Sequence, residues 1–450
     1  MWLKSSVEMP SRRISAEMTS RVFGVWQVGK TSDLGRKVAE TYVTQLLRAG
    51  IGLLISAILA RVLGPVGLGL YGVAMAISTL GVQLANSGLH VSNTYYVAKN
   101  RGLLPALLGN TLCIGLLGGS ALSGGAWIVF LHWPALAPLN DGLLALALAL
   151  IPVGLAYLLL LNLLLGLQAV RAYNGIELGN RLLSLALLVL LVTLRMVRVE
   201  SVLMATVTAL LISSAVALWC LRGFSPGLPR LSLPLFKDTI GVGFRAYLVC
   251  VFSFLVLRID LLMVKYILGA EQAGYYSVAA TIGDYVSMFA VVIALVLFPK
   301  LSALSENAER LCMARRAAIG TGVALLPAII AAAALAKFLV PLLFGSAFLP
   351  AASALIWLLP GIFFLGIEVV IVQFLNSLGF PGSVIVLWAV STVLNIGLNL
   401  WAIPRHGIIG ASAVSSLSYF LVFSGVWWII QRGKYSTKVR SDAAVPNAVG

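Results

Sequence analysis

The chain has 450 residues, of which 60% are hydrophobic and only 10% are charged. Soluble domains carry about 25% charged residues, so this composition excludes an ordinary soluble enzyme or binding domain and predicts a polytopic membrane protein. The formal net charge of +16 would suggest nucleic-acid binding in a soluble protein. In a membrane protein it follows from the Lys and Arg of cytoplasmic loops, and we predict no nucleic-acid partner.

Residues 1–43 are polar and basic and are predicted to form a cytoplasmic tail. Gly24–Thr31 fits the phosphate-binding pattern G-x-x-x-x-G-K-[ST], but that loop works only between a strand and a helix of a nucleotide-binding domain. A tail of this length cannot build such a domain, so we interpret the match as coincidence and predict no nucleotide. The four cysteines lack metal-ligand spacing, so neither a metal nor another cofactor is predicted.

Twelve apolar runs follow, each long enough to cross a bilayer as a helix. Their approximate bounds are 44–63, 69–97, 103–131, 142–165, 175–194, 200–221, 239–263, 273–298, 316–343, 350–375, 382–402 and 407–430. The sixth and seventh runs are joined by a proline-containing segment. This predicts a six-helix lobe over 44–221, a cytoplasmic linker over 222–238, a second six-helix lobe over 239–430, and a cytoplasmic C-terminal tail over 431–450.

The Lys and Arg residues outside these runs or at their ends lie mostly on one side. With the N-terminus inside, 21 fall in cytoplasmic segments and five in outer ones. This bias predicts that both termini are cytoplasmic.

Two segments in opposite halves of the chain match without a gap. LGPVGLGLYGVA (Leu63–Ala74) and LGAEQAGYYSVA (Leu268–Ala279) share Leu, Gly, Gly, Tyr, Val and Ala at an offset of 205 residues. Because six spans per half is an even number, the two copies would have the same orientation and would be related by an axis along the membrane normal. The repeat therefore predicts two pseudo-symmetric lobes around a central cavity, an arrangement typical of transporters.

Ala60–Tyr71, Leu257–Ala279 and Phe298–Leu304 resemble the polysaccharide flippase family. This is the Wzx-type branch of the superfamily that also contains multidrug/toxic-compound extruders and lipid II flippases. The resemblance implies twelve helices in two six-helix lobes. It also implies transfer of an undecaprenyl-diphosphate-linked oligosaccharide across the bacterial inner membrane, with membrane lipid and a polysaccharide polymerase or chain-length protein as partners.

Basic residues within the spans predict a cavity suited to a diphosphate, because an Arg guanidinium can bind phosphate oxygens bidentately. The strongest candidates are Arg48, Arg245 and Arg258, which lie on the first span of each half. Glu177 and Arg181 are four residues apart, and we interpret them as an ion pair within one helix.

Three acidic residues in the spans, Asp260, Asp284 and Glu368, are candidates for a coupling proton or cation. Structural pairing is the alternative for each of them. Asn395 and Asn399 share a helix face and are predicted to bind sugar hydroxyls, with an interhelical hydrogen bond as the alternative.

These features predict an inner-membrane flippase for a lipid-linked oligosaccharide of surface polysaccharide synthesis, working by alternating access. Two alternatives are a cation-coupled multidrug exporter, which favours an acidic cavity, and a membrane scaffold of a polysaccharide assembly complex. No enzymatic constellation is evident: the three histidines are scattered and the outer loops are short. We therefore predict that the protein is not an enzyme.

Overall fold

The computed structural model describes residues 33–224, 227–379 and 381–433, with side chains from residue 43 onward except at residue 242. The phosphate-loop-like segment and most of both predicted tails lie outside the described residues. The described chain forms α-helices α1 to α12 and short 3-10 turns, and a π-helical turn over Ile114–Gly118 joins α3 to α4. The helices are α1 Asp33–Asn86, α2 Leu89–Lys99, α3 Leu104–Cys113, α4 Gly119–His132, α5 Asp141–Gly166, α6 Val170–Thr193, α7 Val199–Phe224, α8 Leu233–Leu268, α9 Ala270–Ala303, α10 Asn307–Phe344, α11 Pro350–Ser377 and α12 Gly382–Arg432.

Ten helical segments of the described chain are long and apolar enough to cross a membrane. Two of them, in α1 and α12, extend over 44 and 51 residues, which is about 66 and 76 Å at 1.5 Å per residue. Each is interrupted by a glycine with positive φ, Gly64 at 67° and Gly407 at 61°. Because a bilayer core is about 30 Å thick, each supplies two passes, and the twelve predicted spans are accommodated.

Three predicted boundaries differ from the observed helix ends. Helix α1 begins at Asp33, inside the predicted N-terminal tail, and α8 begins at Leu233, inside the predicted linker. The second predicted span is divided at Ser87 and Gly88, which both have positive φ. The turn at Gly88 brings its backbone against that of Gly243 in α8, so a tertiary contact decides where this span breaks.

One helix in each half forms the centre of its lobe. In α5 and α11, 56% and 61% of the most apolar window is buried, whereas no other spanning segment exceeds 33%. These helices contain the fourth and tenth predicted spans, which are equivalent in a six-span repeat. The lipid-facing helices around them keep apolar side chains on the outside, as a membrane protein requires.

The repeated motifs meet each other in space. Gly64 and Gly269, 205 residues apart, both have positive φ with extended ψ and separate the first and second passes of their halves. A methyl group on Gly69 would overlap the Ala270 carbonyl, and one on Gly274 would overlap the Pro65 carbonyl. The two contacts are reciprocal at the repeat offset, which is the signature of an approximate two-fold axis.

Further contacts join the halves near both ends of the helices. At one end, Arg61 of α1 donates from Nε to the Leu343 carbonyl of α10 at 3.1 Å and also binds the Leu342 carbonyl. At the other end, the Asn110 side chain donates to the Ser232 carbonyl and accepts from the Ser232 amide, both at 2.9 Å. The segment before α8 is therefore held against α3.

Candidate functional site

The polar face of α1 lies between the two halves of the molecule. Arg48, Gly52 and Ser56 recur every four residues and so share one side of the helix. On this side the Tyr285 hydroxyl of α9 approaches Gly52 so closely that a methyl group there would be 2.5 Å from it, and it also interacts with Ser56. Arg48 therefore projects from a helix face that contacts the opposite half.

Arg48 is neutralised by a carboxylate of its own half. Its guanidinium forms an ion pair with Glu177 of α6, and the other carboxylate oxygen of Glu177 accepts a hydrogen bond from Tyr157 at 3.0 Å. The predicted pair of Glu177 with Arg181 is thus wrong. Helix packing brings Arg48, which is 129 residues away in sequence, closer to Glu177 than the neighbour one turn along α6.

Arg258 of α8 also has a carboxylate partner. It pairs with Asp284 of α9 at 2.7 Å, and the side chains are 30% and 48% exposed. Asp284 adjoins Tyr285, so this pair lies beside the contact between α9 and the polar face of α1. The pair is accessible, which means that an incoming anion or cation can compete for either partner.

Two other arginines in membrane-spanning helices have no such partner within the described chain. Arg245 of α8 and Arg181 of α6 are both exposed, and neither makes a hydrogen bond or ion pair with another described residue. Arg181 has Tyr71 and Tyr285 within electrostatic range. Sequence reasoning missed Arg181 as a site residue because the spacing to Glu177 suggested a local pair.

Asp260 lies in a different environment from Arg258, although only two residues separate them. It is 2% exposed and accepts hydrogen bonds from the Ser415 hydroxyl at 2.8 Å, from the Leu261 amide at 2.7 Å and from the Tyr276 hydroxyl. The carboxylate joins α8, α9 and α12. Both carboxylate oxygens of Asp260 already accept hydrogen bonds. This geometry agrees with structural pairing, the alternative to a role in coupling.

The predicted sugar-binding asparagines are also enclosed. Asn395 and Asn399 have 0% exposure, and Asn399 donates to the Asn395 side chain, which donates to Ser418, each at 3.0 Å. Asn395 and Asn399 precede the Gly407 break in α12 and Ser418 follows it, so this chain of hydrogen bonds connects two passes. In this conformation the side chains form the interhelical hydrogen bond and offer no surface to a sugar.

Glu368 of α11 is a buried carboxylic acid in the second half of the molecule. It is 1% exposed, and its Oε1 atom has no hydrogen-bond partner among the described residues. A buried carboxyl group without a partner is costly when ionised. It therefore suits a group that binds a proton or an ion in one state of a cycle.

The structure thus brings Arg48, Arg258 and Asp284 to the region where α1 and α9 meet, together with Arg181. It separates from them the enclosed Asp260, Asn395 and Asn399, and it leaves Glu368 within the second half. Across the described residues, no group of three His, Cys, Asp or Glu side chains could hold a metal ion. The arrangement includes two paired arginines, Arg48 and Arg258, and two unpaired ones, Arg181 and Arg245, in helices that cross the membrane.

Comparisons with known proteins agree with this architecture. A family model described as "Polysaccharide biosynthesis protein" matches residues 34–305. The chain is 27% identical over 410 residues to the lipid III flippase of Escherichia coli (strain K12), covering 85% of this chain and 95% of that protein.

Two solved structures align over most of their length. The lipid II flippase MurJ in an inward closed conformation gives a TM-score of 0.68 at 14% identity, covering 89% of this chain and 88% of that one. An inward-facing multidrug resistance MATE family transporter of the MOP superfamily gives 0.67 at 16% identity, covering 86% and 94%. At such identities the likeness establishes only that this chain shares the fold of these two structures.

Proposed function

Because the chain belongs to the polysaccharide biosynthesis protein family, we propose that it is a flippase. Its substrate would be an undecaprenyl-diphosphate-linked oligosaccharide, moved across the bacterial inner membrane by alternating access for surface polysaccharide synthesis. The observation that carries this proposal is the array of arginines within the membrane-spanning helices, part of it at the contact between the two halves. A membrane-embedded cation faces a cavity or a partner, and an array of guanidinium groups favours an anionic cargo.

The two ion pairs provide a way to bind and release a diphosphate. Arg48 is held by Glu177, and Arg258 by Asp284. When a phosphate enters, each arginine can exchange its carboxylate for phosphate oxygens, and the carboxylate recovers its partner when the phosphate leaves. Such an exchange leaves neither Arg48 nor Arg258 as an isolated charge in a low-dielectric region when the site is empty.

The contacts at both ends of the helices support a rocking motion of the halves. Backbone approaches at Gly69 and Gly274 join the halves at one end, and those at Gly88 and Gly243 join them at the other. We place the first pair on the periplasmic side and both termini in the cytoplasm. The lobes would be those predicted at 44–221 and 239–430, with the glycan between them and the prenyl chain in lipid.

The unpartnered Glu368 supports coupling to a proton or cation, and Asp284 is the second candidate because its carboxylate is accessible. A polysaccharide polymerase and chain-length proteins would be the partners that receive the flipped product. The multidrug exporter remains the second candidate function, favoured by the fold shared with MATE transporters and by the buried acidic group. The arginines argue against it, because they would repel a cationic drug.

The test is a reconstituted flipping assay with a fluorescent prenyl-diphosphate oligosaccharide in proteoliposomes. We expect protein-dependent exposure of the lipid to an impermeant glycan-binding probe, and at least about tenfold slower transfer for Arg258→Ala, given about 1.4 kcal/mol per tenfold for one charge-assisted interaction. Arg198→Ala, in an outer loop, is the matched control. No protein-dependent transfer by the wild type would favour the scaffold interpretation. Unaltered transfer in Arg48→Ala, Arg245→Ala and Arg258→Ala would contradict the role proposed for the arginines.

A further inference from the structure

The partner expected for Arg181 is engaged elsewhere. Glu177 lies one turn before Arg181 on α6, but its two carboxylate oxygens contact Arg48 and the Tyr157 hydroxyl. Tyr157 belongs to α5 and Arg48 to α1, so three helices hold this carboxylate in place. Turning it toward Arg181 would break an ion pair and a hydrogen bond in the interior of the first half.

Arg181 lies near the middle of α6. The helix extends over Val170–Thr193, which leaves eleven residues before Arg181 and twelve after it. At 1.5 Å per residue the side chain starts about 17 Å from either helix end, so the guanidinium lies at membrane depth. A cation at that depth is costly unless it faces a cavity or binds an anion.

Two phenol groups lie within electrostatic range of Arg181. Arg181 is an exposed residue, and the phenols concerned are those of Tyr71 and Tyr285. Tyr71 lies in the second pass of α1, and Tyr285 lies in α9 of the other half. Arg181 thus has hydroxyl groups from two other helices within electrostatic range, whereas the carboxylates of Glu177 and Asp284 are paired with other arginines.

We propose that Arg181 is the principal phosphate-binding residue of the inter-lobe site, with Tyr71 and Tyr285 as additional hydrogen-bond donors. The ligand class is a diphosphate ester, whose oxygens match the planar fork of a guanidinium. This inference rests on the proposed function for its biological meaning, but the anion site can be tested without transport. Arg48 and Arg258 must each leave a carboxylate before they bind phosphate, whereas Arg181 is available at once.

The experiment measures binding of farnesyl diphosphate to the full-length protein in detergent, as the shift of the thermal unfolding midpoint with ligand concentration. We expect saturable stabilisation of the wild type by farnesyl diphosphate and none by farnesol. Arg181→Ala should bind about ten- to a hundredfold more weakly, the effect of removing a charge-assisted interaction. Arg181→Lys, which keeps the charge but loses the fork, should fall between them, and Arg198→Ala should match the wild type.

Two outcomes would overturn the proposal: wild-type affinity in Arg181→Ala, or no stabilisation of the wild type by farnesyl diphosphate. Arg181→Lys is the folding control. If its elution profile and its thermal unfolding midpoint without ligand match those of the wild type, its weaker binding does not come from misfolding. The outcome is separable from that of the proposed function. A wild-type protein that binds farnesyl diphosphate through Arg181 but flips no glycolipid would refute the flippase and keep the site. Normal flipping and binding by Arg181→Ala would refute the site alone.

Discussion

Substitutions at Asp260 test whether its buried carboxylate stabilises the fold or takes part in transport. Its carboxylate receives the hydroxyl groups of Tyr276 and Ser415, which are 1% and 0% exposed, and so connects α8, α9 and α12. Replacing Asp260 by alanine would remove the common acceptor of these two donors. Because both hydroxyl groups are buried, water cannot replace the lost acceptor.

The size of the effect follows from the geometry. The Tyr276 and Ser415 hydroxyls lie 3.3 Å apart, so after substitution one can donate to the other and a single donor stays unpaired. An unpaired buried donor costs about 1–3 kcal/mol, and the lost packing of the side chain adds roughly 1 kcal/mol. We therefore expect Asp260→Ala to lower the free energy of unfolding by about 2–4 kcal/mol.

Asp260→Asn is the informative companion variant. It keeps the shape and one acceptor oxygen while removing the charge, so we expect its stability to be within about 1 kcal/mol of the wild type. Ser415→Ala should cost about 1 kcal/mol, and Ser287→Ala, which removes a hydroxyl bonded only to a carbonyl of its own helix, should cost less. The assay is unfolding in mixed micelles with increasing denaturing detergent, followed by fluorescence.

Transport measurements then decide between the two roles of Asp260. A structural junction predicts that flipping by Asp260→Asn stays within about twofold of the wild type and keeps its dependence on ion gradients. If Asp260→Ala is as stable as the wild type while Asp260→Asn loses gradient dependence, the carboxylate takes part in coupling and the structural reasoning is refuted.

Three further predictions concern other positions. Gly274→Ala should separate the ends of the halves, because its methyl group would overlap the Pro65 carbonyl; spin-label distances across that end should increase, and unchanged distances would contradict the reciprocal packing. Arg61→Ala should also increase these distances, because the contact with the Leu342 carbonyl is lost. Arg61→Lys should partly restore the wild-type distances. Glu368→Gln should flip substrate at a rate that no longer responds to an imposed proton gradient, and a wild-type response would exclude this residue from coupling.

Much of the architecture follows from local sequence properties. Long apolar runs must become helices in lipid because each backbone amide needs an internal partner, and the resemblance to the polysaccharide flippase family is confirmed by the family match. The repeat LGxxxxGxY predicted two related halves, and the structure shows that its glycines lie where those halves meet, because a helix can approach another backbone closely only where side chains are absent. Boundaries were less accurate: Gly88 breaks a span because of its contact with Gly243.

The partners of the charged residues could not be read in this way. The spacing in sequence predicted an ion pair between Glu177 and Arg181. In the structure, the packing of α1 against α6 pairs Glu177 with Arg48 instead, and Arg181 has no ion-pair partner among the described residues. Likewise, Asp260 and Arg258 are neighbours in sequence, yet one is enclosed by hydroxyl groups and the other is paired at an exposed position.

Composition and the length of the apolar runs alone therefore determined that this chain forms a bundle of membrane-spanning helices, because solvation acts on each segment separately. Which of the arginines remains free to bind an anion was decided only by the tertiary structure. An ion pair depends on where two helices cross, and that position is a property of the whole packed bundle.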